Sequence, residues 1–177
     1  MQRPMTSRSS GGKDAAPDIV VGIGDRGPSH YGAALALAAQ MGRQRKAELR
    51  LVHGCLPRLS VALRDEALER YLIHGRKVLD EAQLALSPMV DQSVRVSLAA
   101  LPLTGTEALL QESRTAEVLI VQRRNLSTVG RVLSGATSDT VAAQAACPVA
   151  VVRNDQFDED RKHGVVVGVG AHSGLLA

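Results

Sequence analysis

The sequence predicts an α/β fold: a doubly wound, five-stranded parallel sheet with helices on both faces. Short runs of Val, Ile and Leu alternate along the chain with longer segments of helical periodicity, and this alternation is typical of βαβ units. Hydrophobic residues make up 45% of the chain but aromatic residues only 2%. The core is therefore expected to consist of Val, Leu, Ile and Ala, which suit closely packed α/β layers.

The first half of the chain supplies two strands and two helices. Residues 19–23 form a continuous apolar run, as expected of a strand that is buried on both faces. Residues 31–42 are rich in Ala and Leu and predict a helix that ends at Gly42, and residues 48–53 predict the second strand. A long helix is expected over about 64–86. Its apolar side carries Leu68, Leu72, Gly75, Leu79, Ala82 and Leu86.

The second half continues the alternation with three strands and two helices. The strands are predicted at residues 94–99, 117–121 and 148–152, and the helices at about 105–114 and 137–146. In such a sheet, ligands bind beyond the carboxyl ends of the strands, where the strand order reverses. The loops after the first, second and fourth strands are therefore the ones to inspect for a site.

The two ends of the chain differ from this ordered middle. The first residues are small and polar and predict a disordered head. Near the C-terminus, Gly164-Val-Val-Val-Gly-Val-Gly170 repeats the pattern of the first strand, Asp18-Ile-Val-Val-Gly-Ile-Gly24. We therefore divide the chain into a head (1–17), one domain (18–153), a charged linker (154–163) and the truncated start of a second repeat (164–177).

Composition excludes several classes of function. The chain has no Trp, which disfavours binding of single-stranded nucleic acid by base stacking. Its head has no apolar stretch and no run reaches transmembrane length, so neither a secretory signal nor a membrane span is expected. Two separate cysteines, Cys55 and Cys147, fit a reducing compartment, and we predict a cytoplasmic protein. The five histidines are scattered without metal-ligand spacing, so no metal site is predicted.

The loop after the first strand matches the G-x-G-x-x-G pattern from Gly22 to Gly27. In a nicotinamide-binding fold, this turn would place a pyrophosphate on a helix N-terminus. Such a fold also needs an acidic residue at the end of the second strand, where this chain has His53-Gly54-Cys55. The other interpretation is that the glycines only permit a tight turn.

The loop after the fourth strand is the second candidate. Gly135, followed by Thr137 and Ser138 at a helix start, is suited to hold a phosphate through backbone N–H groups and hydroxyls. Nearby arginines add positive charge to this loop. The alternative is that Thr137 or Ser138 only caps the helix. On these residues alone, both interpretations stay open.

Three segments resemble the universal stress protein family. They are Ile19-Val-Val-Gly-Ile23, Ala47-Glu-Leu-Arg-Leu-Val-His53, and the stretch from Val118 to Arg153 with its ending Cys147-Pro-Val. The resemblance covers roughly residues 18–153. It implies a five-stranded fold of the adenine-nucleotide alpha hydrolase-like type, dimers, and a cytoplasmic role in stress or dormancy. Some members bind ATP and others do not, and tandem members are common, which gives the terminal repeat a natural meaning.

The resemblance also implies a nucleotide site. ATP-binding members carry G-x-x-G, nine residues, then Gly and Ser or Thr, after the fourth strand. An acidic residue after the first strand and a residue after the strand-two His complete the family site. Laid on this sequence, the site comprises Gly24, Asp25, Gly54, Gln122, Arg124, Asn125, Gly135, Ala136, Thr137 and Ser138.

This chain departs from the family pattern at several of these positions. Gln122 and Asn125 stand where the first two glycines let the backbone approach the phosphates, and Ala136 replaces a hydroxyl. A lost charge-assisted hydrogen bond costs about 1.5–3 kcal/mol. The acidic position falls on Gly24, with Asp25 beside it, and Gly54 stands where the family often has Val. These departures predict weakened or lost ATP binding on a retained fold.

Three functions follow as hypotheses, and the first of them leads. The first is a regulatory or binding module with a degraded nucleotide loop, which acts through dimers or partners. The second is an ATP-binding stress protein with weak affinity or slow hydrolysis, and a nicotinamide-dependent enzyme is a third. No nucleophile–base–orienter set is present in the sequence, so catalysis is not predicted. The strand Pro148–Val152 is predicted to lie at a sheet edge and to pair in a homodimer.

Overall fold

The structure, a computed structural model of the chain, describes residues 19–57, 65–122 and 137–152. Our predictions for the head, the linker and the second repeat lie outside these residues. No helix within the described ranges is long and apolar enough to span a bilayer. In chain order, the elements are β1 (Ile19–Gly22), a 3₁₀ turn (Pro28–His30), α1 (Gly32–Arg45), β2 (Leu49–Leu56), α2 (Asp65–Leu86), a 3₁₀ turn (Ser87–Met89), β3 (Val96–Thr104), α3 (Gly105–Glu112), β4 (Val118–Gln122), α4 (Thr137–Gln144) and β5 (Val149–Val152).

The five strands form one parallel sheet in the order β3-β2-β1-β4-β5. From β1 the chain runs outward through β2 to β3, then returns to the other side of β1 for β4 and β5. The strand order therefore reverses between β1 and β4, and this pair marks the switch point of the sheet. β5 lies at the sheet edge, as predicted.

Helices cover both faces of the sheet, which confirms the predicted doubly wound fold. Successive side chains of a strand point to opposite faces. Accordingly, Ile19 and Val21 of β1 pack in the cluster with α1 and α2, whereas Val20 packs in the cluster with α3 and α4. Because helices cover both faces of the sheet, every residue of β1 packs against an apolar layer, and this explains the continuous apolar run.

The end of α1 differs from the prediction. Gly42 does not end the helix, which continues to Arg45 and closes at Lys46 in the left-handed conformation, with φ of 53°. Gly42 instead lies buried against β2: a Cβ placed on it would be 3.2 Å from Leu49 Cδ2 and 3.3 Å from Val94 Cγ1. The glycine permits close packing between helix and sheet.

The bounds of β3 were also predicted wrongly. The strand was expected at residues 94–99 but is found at Val96–Thr104, and it contains Pro102. Proline lacks an N–H donor and normally interrupts a central strand. β3 is the outer strand beside β2, so one side of its backbone needs no strand partner and Pro102 is tolerated.

Candidate functional site

A cavity of about 580 Å³ opens at the carboxyl edge of the sheet. Its described lining comes from the turn after β1, the ends of β2 and β4, the first turn of α3, the start of α4 and one side of α2. The cavity lies beyond the carboxyl ends of β1 and β4. This is the switch point, where doubly wound sheets bind ligands.

One wall of the cavity exists because β2 and β3 extend beyond β1. β1 pairs with β2 as far as Gly22 and Val52, whereas β2 and β3 stay paired up to Leu56 and Thr104. The register between β2 and β3 shifts between Gly54 and Leu56, as in a β-bulge. The extra residues of β2 stand above the end of β1 and face the cavity.

Gly54 is required at this wall by the approach of another backbone. A Cβ at this position would lie 2.5 Å from the carbonyl oxygen of Thr104 and 2.6 Å from the N and Cα of Gly105. The junction of β3 and α3 therefore occupies the space that a valine would need. The family departure at Gly54 is explained by this packing.

His53 ties the wall to the turn that carries Gly24 and Asp25. Its Nδ1 lies 2.9 Å from the carbonyl oxygen of Ile23, so the ring donates this hydrogen bond. His53 is buried, with 7% of its surface exposed. The bond holds the end of β1 against β2, and both Gly24 and Asp25 line the cavity beyond it.

The contribution of α2 was missed by the sequence analysis. Tyr71 and His74 of this helix line the cavity. They reach it because Gly75 lets α2 come close: a Cβ on Gly75 would overlap Cys55 Sγ and lie 3.0 Å from His53 Cδ2. A glycine inside a helical pattern was the available signal, since such a glycine often marks a close contact.

Gln122 holds the opposite side of the cavity. It is the last residue of β4, and its Oε1 accepts a hydrogen bond of 3.2 Å from the backbone N–H of Ala34 in α1. We had expected Gln122 to place a side chain where phosphates need space. The structure directs that side chain to the first turn of α1.

The start of α4 completes the described lining. Thr137 is the first residue of α4, and both Thr137 and the buried Ser138 line the cavity. Asp139 adds an acidic group in the same first turn. Its negative charge interacts favourably with the helix dipole and repels an anion at this position. The predicted site residues Arg124, Asn125, Gly135 and Ala136 lie outside the residues that the structure describes.

The glycine turn after β1 does not have the geometry of a dinucleotide fingerprint. Gly22 packs closely on α3, because a Cβ there would lie 3.0 Å from Leu109 Cδ1. Gly27 has φ of 82° and precedes a 3₁₀ turn, and α1 begins only at Gly32. A dinucleotide fingerprint opens its helix directly, so the tight-turn interpretation fits better.

The chemistry of the lining suits binding. Burial raises the pKa of the Cys55 thiol, which keeps it protonated and poorly nucleophilic. Across the described ranges, no group of three or more His, Cys, Asp or Glu residues is placed to hold a metal ion. The described lining combines apolar strand ends with imidazoles, hydroxyls, one amide and the charged side chains of Asp25 and Arg26, which is a typical mixture for a small organic ligand.

Comparisons with known proteins agree with this architecture. A relative from Thermus aquaticus, named as the universal stress protein in the QAH/OAS sulfhydrylase 3′ region, is 34% identical over 134 residues, which are 72% of this chain and 93% of the relative. Among solved structures, a universal stress protein in complex with cAMP has a TM-score of 0.53 at 21% identity, covering 78% of this chain and 98% of its own. The universal stress protein from Archaeoglobus fulgidus in complex with dAMP has a TM-score of 0.55 at 18% identity, covering 77% and 98%.

The structural likenesses confirm the predicted α/β fold with its five-stranded parallel sheet. The profile described as the universal stress protein family matches residues 17–153. That range contains the whole described sheet and the cavity at its carboxyl edge. The chain therefore belongs to the universal stress protein family.

Proposed function

We propose that this domain is a regulatory binding module whose cavity takes an adenine nucleotide with low affinity. The observation that carries the proposal is the cavity at the switch point between β1 and β4, lined by residues of β1, β2, β4, α2, α3 and α4. Its volume of about 580 Å³ lies within the range of about 300–1,000 Å³ that is usual for small-molecule sites. Relatives of this fold in complex with cAMP and dAMP support an adenine nucleotide as the ligand class.

Low affinity follows from the phosphate side of the proposed site. The side-chain amide of Gln122 is hydrogen-bonded to the first turn of α1, at a position where the family glycine would have no side chain. Asp139 places a negative charge at the start of α4. Ala136 lacks a hydroxyl for a phosphate oxygen. Binding of ATP, with slow hydrolysis, stays the second candidate because Thr137 and Ser138 still place two hydroxyls on the lining.

Titration calorimetry with AMP, cAMP, ATP and NAD tests the proposal. We expect AMP or cAMP to bind in the range of about 10 μM to 1 mM, which corresponds to about 4–7 kcal/mol of binding free energy. ATP is expected to bind more weakly and NAD not at all. Tighter binding of ATP than of AMP would favour the second candidate, and the absence of any heat at millimolar nucleotide would overturn both.

Two matched glycine variants locate the ligand. Gly105 and Gly32 each begin an α-helix, and a Cβ on either meets nothing within 4 Å. Gly105 lines the cavity, whereas Gly32 is not among its lining residues. We expect Gly105→Val to reduce nucleotide affinity by tenfold or more, and Gly32→Val to leave it unchanged. Equal effects of the two variants would place the ligand elsewhere.

Dimerisation through β5 is part of the same proposal. β5 lies at the sheet edge, and Val151 on it is 39% exposed, which is unusual for a large apolar residue of a strand. An exposed apolar edge tends to pair or to be covered. We expect a homodimer in light scattering that Val151→Lys dissociates and that Leu84→Lys, at an exposed position of α2, does not. A wild-type monomer at micromolar concentration would contradict this part.

The cytoplasmic location and the role in stress are carried over from the family as proposals.

A further inference from the structure

The two ring nitrogens of His53 have different surroundings. This residue of β2 is buried, with 7% of its surface exposed, and its Nδ1 lies 2.9 Å from the carbonyl oxygen of Ile23. Its Nε2 has no hydrogen-bond partner within the part of the chain that the structure describes, and this atom is not fully enclosed by protein. Because His53 lines the cavity, Nε2 is accessible to a ligand there.

The carbonyl group of Ile23 determines the chemical character of Nε2. A carbonyl oxygen only accepts hydrogen bonds, so the proton of the neutral ring lies on Nδ1 and Nε2 carries a lone pair. The ring has little room to turn over, because α2 approaches its other edge: a Cβ on Gly75 would lie 3.0 Å from His53 Cδ2. His53 therefore presents a fixed hydrogen-bond acceptor to the cavity.

His53 lies at the end of the cavity that is distant from α4. β2 and β4 flank β1 on opposite sides, and neighbouring strands are about 5 Å apart, so the ends of β2 and β4 are separated by about 10 Å. Thr137 and Ser138 line the α4 end, whereas Leu56 and the ring of Tyr71 line the α2 end. A nucleotide with its phosphate near α4 therefore places its planar base beside β2 and α2.

We infer that His53 is a specificity-determining residue, because its fixed acceptor selects a base that presents an amino group over one that presents an oxygen. The inference rests on the proposed function and deepens it. Adenine carries an amino group at C6, whereas guanine and hypoxanthine carry a carbonyl oxygen at that position. The amino group donates to Nε2, but a carbonyl oxygen would leave two acceptors facing each other. The site is thereby assigned to 6-aminopurine nucleotides.

Titration calorimetry with AMP and IMP tests this assignment, since the two nucleotides share the same sugar and phosphate. We expect wild type to bind AMP tenfold or more tightly than IMP, the size of one unpaired acceptor. His53→Asn keeps an amide N–H near the position of Nδ1 and has no atom at the position of Nε2. Its affinity for AMP is expected to fall until AMP and IMP bind equally.

His53→Gln and Leu79→Ala complete the set of variants. The amide of His53→Gln reaches the position of Nε2 and can turn either its oxygen or its N–H to the base, so AMP and IMP are expected to bind with similar affinity. Leu79 is buried in α2 and is not among the lining residues. Leu79→Ala therefore controls for lost stability, and its preference for AMP is expected to equal that of wild type.

Nitrogen NMR of protein with ¹⁵N-labelled histidine gives a measurement that needs no variant to bind ligand. The signals of His53 are those absent from the spectrum of His53→Asn. At neutral pH, we expect Nδ1 to be protonated and Nε2 to be unprotonated in the free protein. AMP is expected to shift the Nε2 resonance, because this nitrogen accepts the hydrogen bond of the amino group.

The results separate this inference from the proposed function. Equal affinities of wild type for AMP and IMP would overturn the role of His53 and leave the nucleotide site standing. A proton on Nε2 in place of Nδ1 would also overturn that role, with no ligand present. If neither nucleotide binds wild type, the proposed function fails and the inference fails with it. If circular dichroism shows that His53→Asn is unfolded, the wild-type affinities decide.

Discussion

The two sides of the cavity are held by different means. On the β3–α3 side, the backbone of Thr104 and Gly105 lies so close to Gly54 that no side chain fits between them. On the α1 side, one side-chain hydrogen bond from Gln122 joins β4 to the helix. The first side is fixed by the paths of two main chains, whereas the second depends on the identity of one residue.

The starts of the two helices at these sides repeat the contrast. α3 carries a capping box, in which Thr104 accepts from the N–H of Glu107 and the Glu107 carboxylate accepts from the N–H of Thr104. α1 has no local cap and takes its acceptor from Gln122. A local cap is complete within its own turn and is independent of the rest of the site. A distant cap depends on the position of another strand.

The largest expected effect comes from a side chain forced into the backbone-held side. We expect Gly54→Val to destabilise the fold by about 3 kcal/mol or more, because the valine would meet main-chain atoms that cannot move aside like a side chain. For a chain of this size, each kcal/mol lowers the melting temperature by about 2–4 °C. Calorimetric melting of the purified variant measures the change.

Gly24→Ala provides the matched control for this experiment. Gly24 also lines the cavity, but a Cβ on it meets nothing within 4 Å. Its melting temperature is expected to stay within about 1–2 °C of wild type, as for other substitutions away from the core. Similar losses in Gly54→Val and Gly24→Ala would mean that the β3–α3 junction is not the rigid side of the cavity.

The contrast also explains which features the sequence predicts. Strand and helix order was predicted correctly because each apolar run and each helical period is a local pattern. β3 was predicted too short because a strand tolerates Pro102 only where it lies at the sheet edge. No local sequence pattern reports that position. For the same reason, Gly42 was taken as a helix stop although its role is contact with β2.

The site residues also divide into those that the sequence pattern predicts and those that depend on the tertiary structure. Gly24, Asp25, Gly54, Gln122, Thr137 and Ser138 do line one cavity, as the family pattern predicts, and their part in nucleotide binding stays a prediction. Tyr71 and His74 were missed because they reach the cavity only through the close approach of α2 at Gly75. The bond from Gln122 to Ala34 joins residues 88 positions apart and depends on the strand order. Sequence spacing alone contains no such information.

The capping box on the backbone-held side predicts a moderate, pH-dependent effect. We expect Thr104→Ala to cost about 1 kcal/mol at neutral pH, as for other N-cap hydroxyls. The hydrogen bonds from the Thr104 hydroxyl and then from its backbone N–H lower the pKa of the Glu107 carboxyl from its ordinary value of 4.5. A lowered pKa in the folded state stabilises the protein above that value, and the stabilisation is lost as pH falls through the lowered pKa.

Urea denaturation at neutral pH and at about pH 3 checks this prediction. The stability difference between wild type and Thr104→Ala is expected to be largest at neutral pH and to shrink in acid. Glu107→Gln should remove the contribution of this carboxyl to the acid dependence. A penalty for Thr104→Ala that is the same at both pH values would indicate that the carboxylate does not take part in the cap.

The smallest effect is expected at Tyr31, on the side of α1. Its side chain is fully buried, and its hydroxyl has no hydrogen-bond partner among the residues that the structure describes. An unsatisfied buried hydroxyl costs free energy, so Tyr31→Phe is expected to leave stability unchanged or to raise it by up to about 1 kcal/mol. Denaturant unfolding at neutral pH measures this difference, and a loss above about 1 kcal/mol would reveal a partner for the hydroxyl.

The stability difference between wild type and Tyr31→Phe is also expected to depend on pH in the alkaline range. Burial first, and then the negative charge of Glu81, raise the pKa of Tyr31 above its ordinary value of 10.0. Because the unfolded chain ionises this phenol before the folded one does, wild type is expected to lose stability as pH rises above about 10. Tyr31→Phe has no phenol to ionise, so its advantage should grow over that pH range. A constant difference between the two proteins from neutral pH to about pH 11 would place the hydroxyl in contact with water, and α1 would then begin in a more open setting than the bond from Gln122 implies.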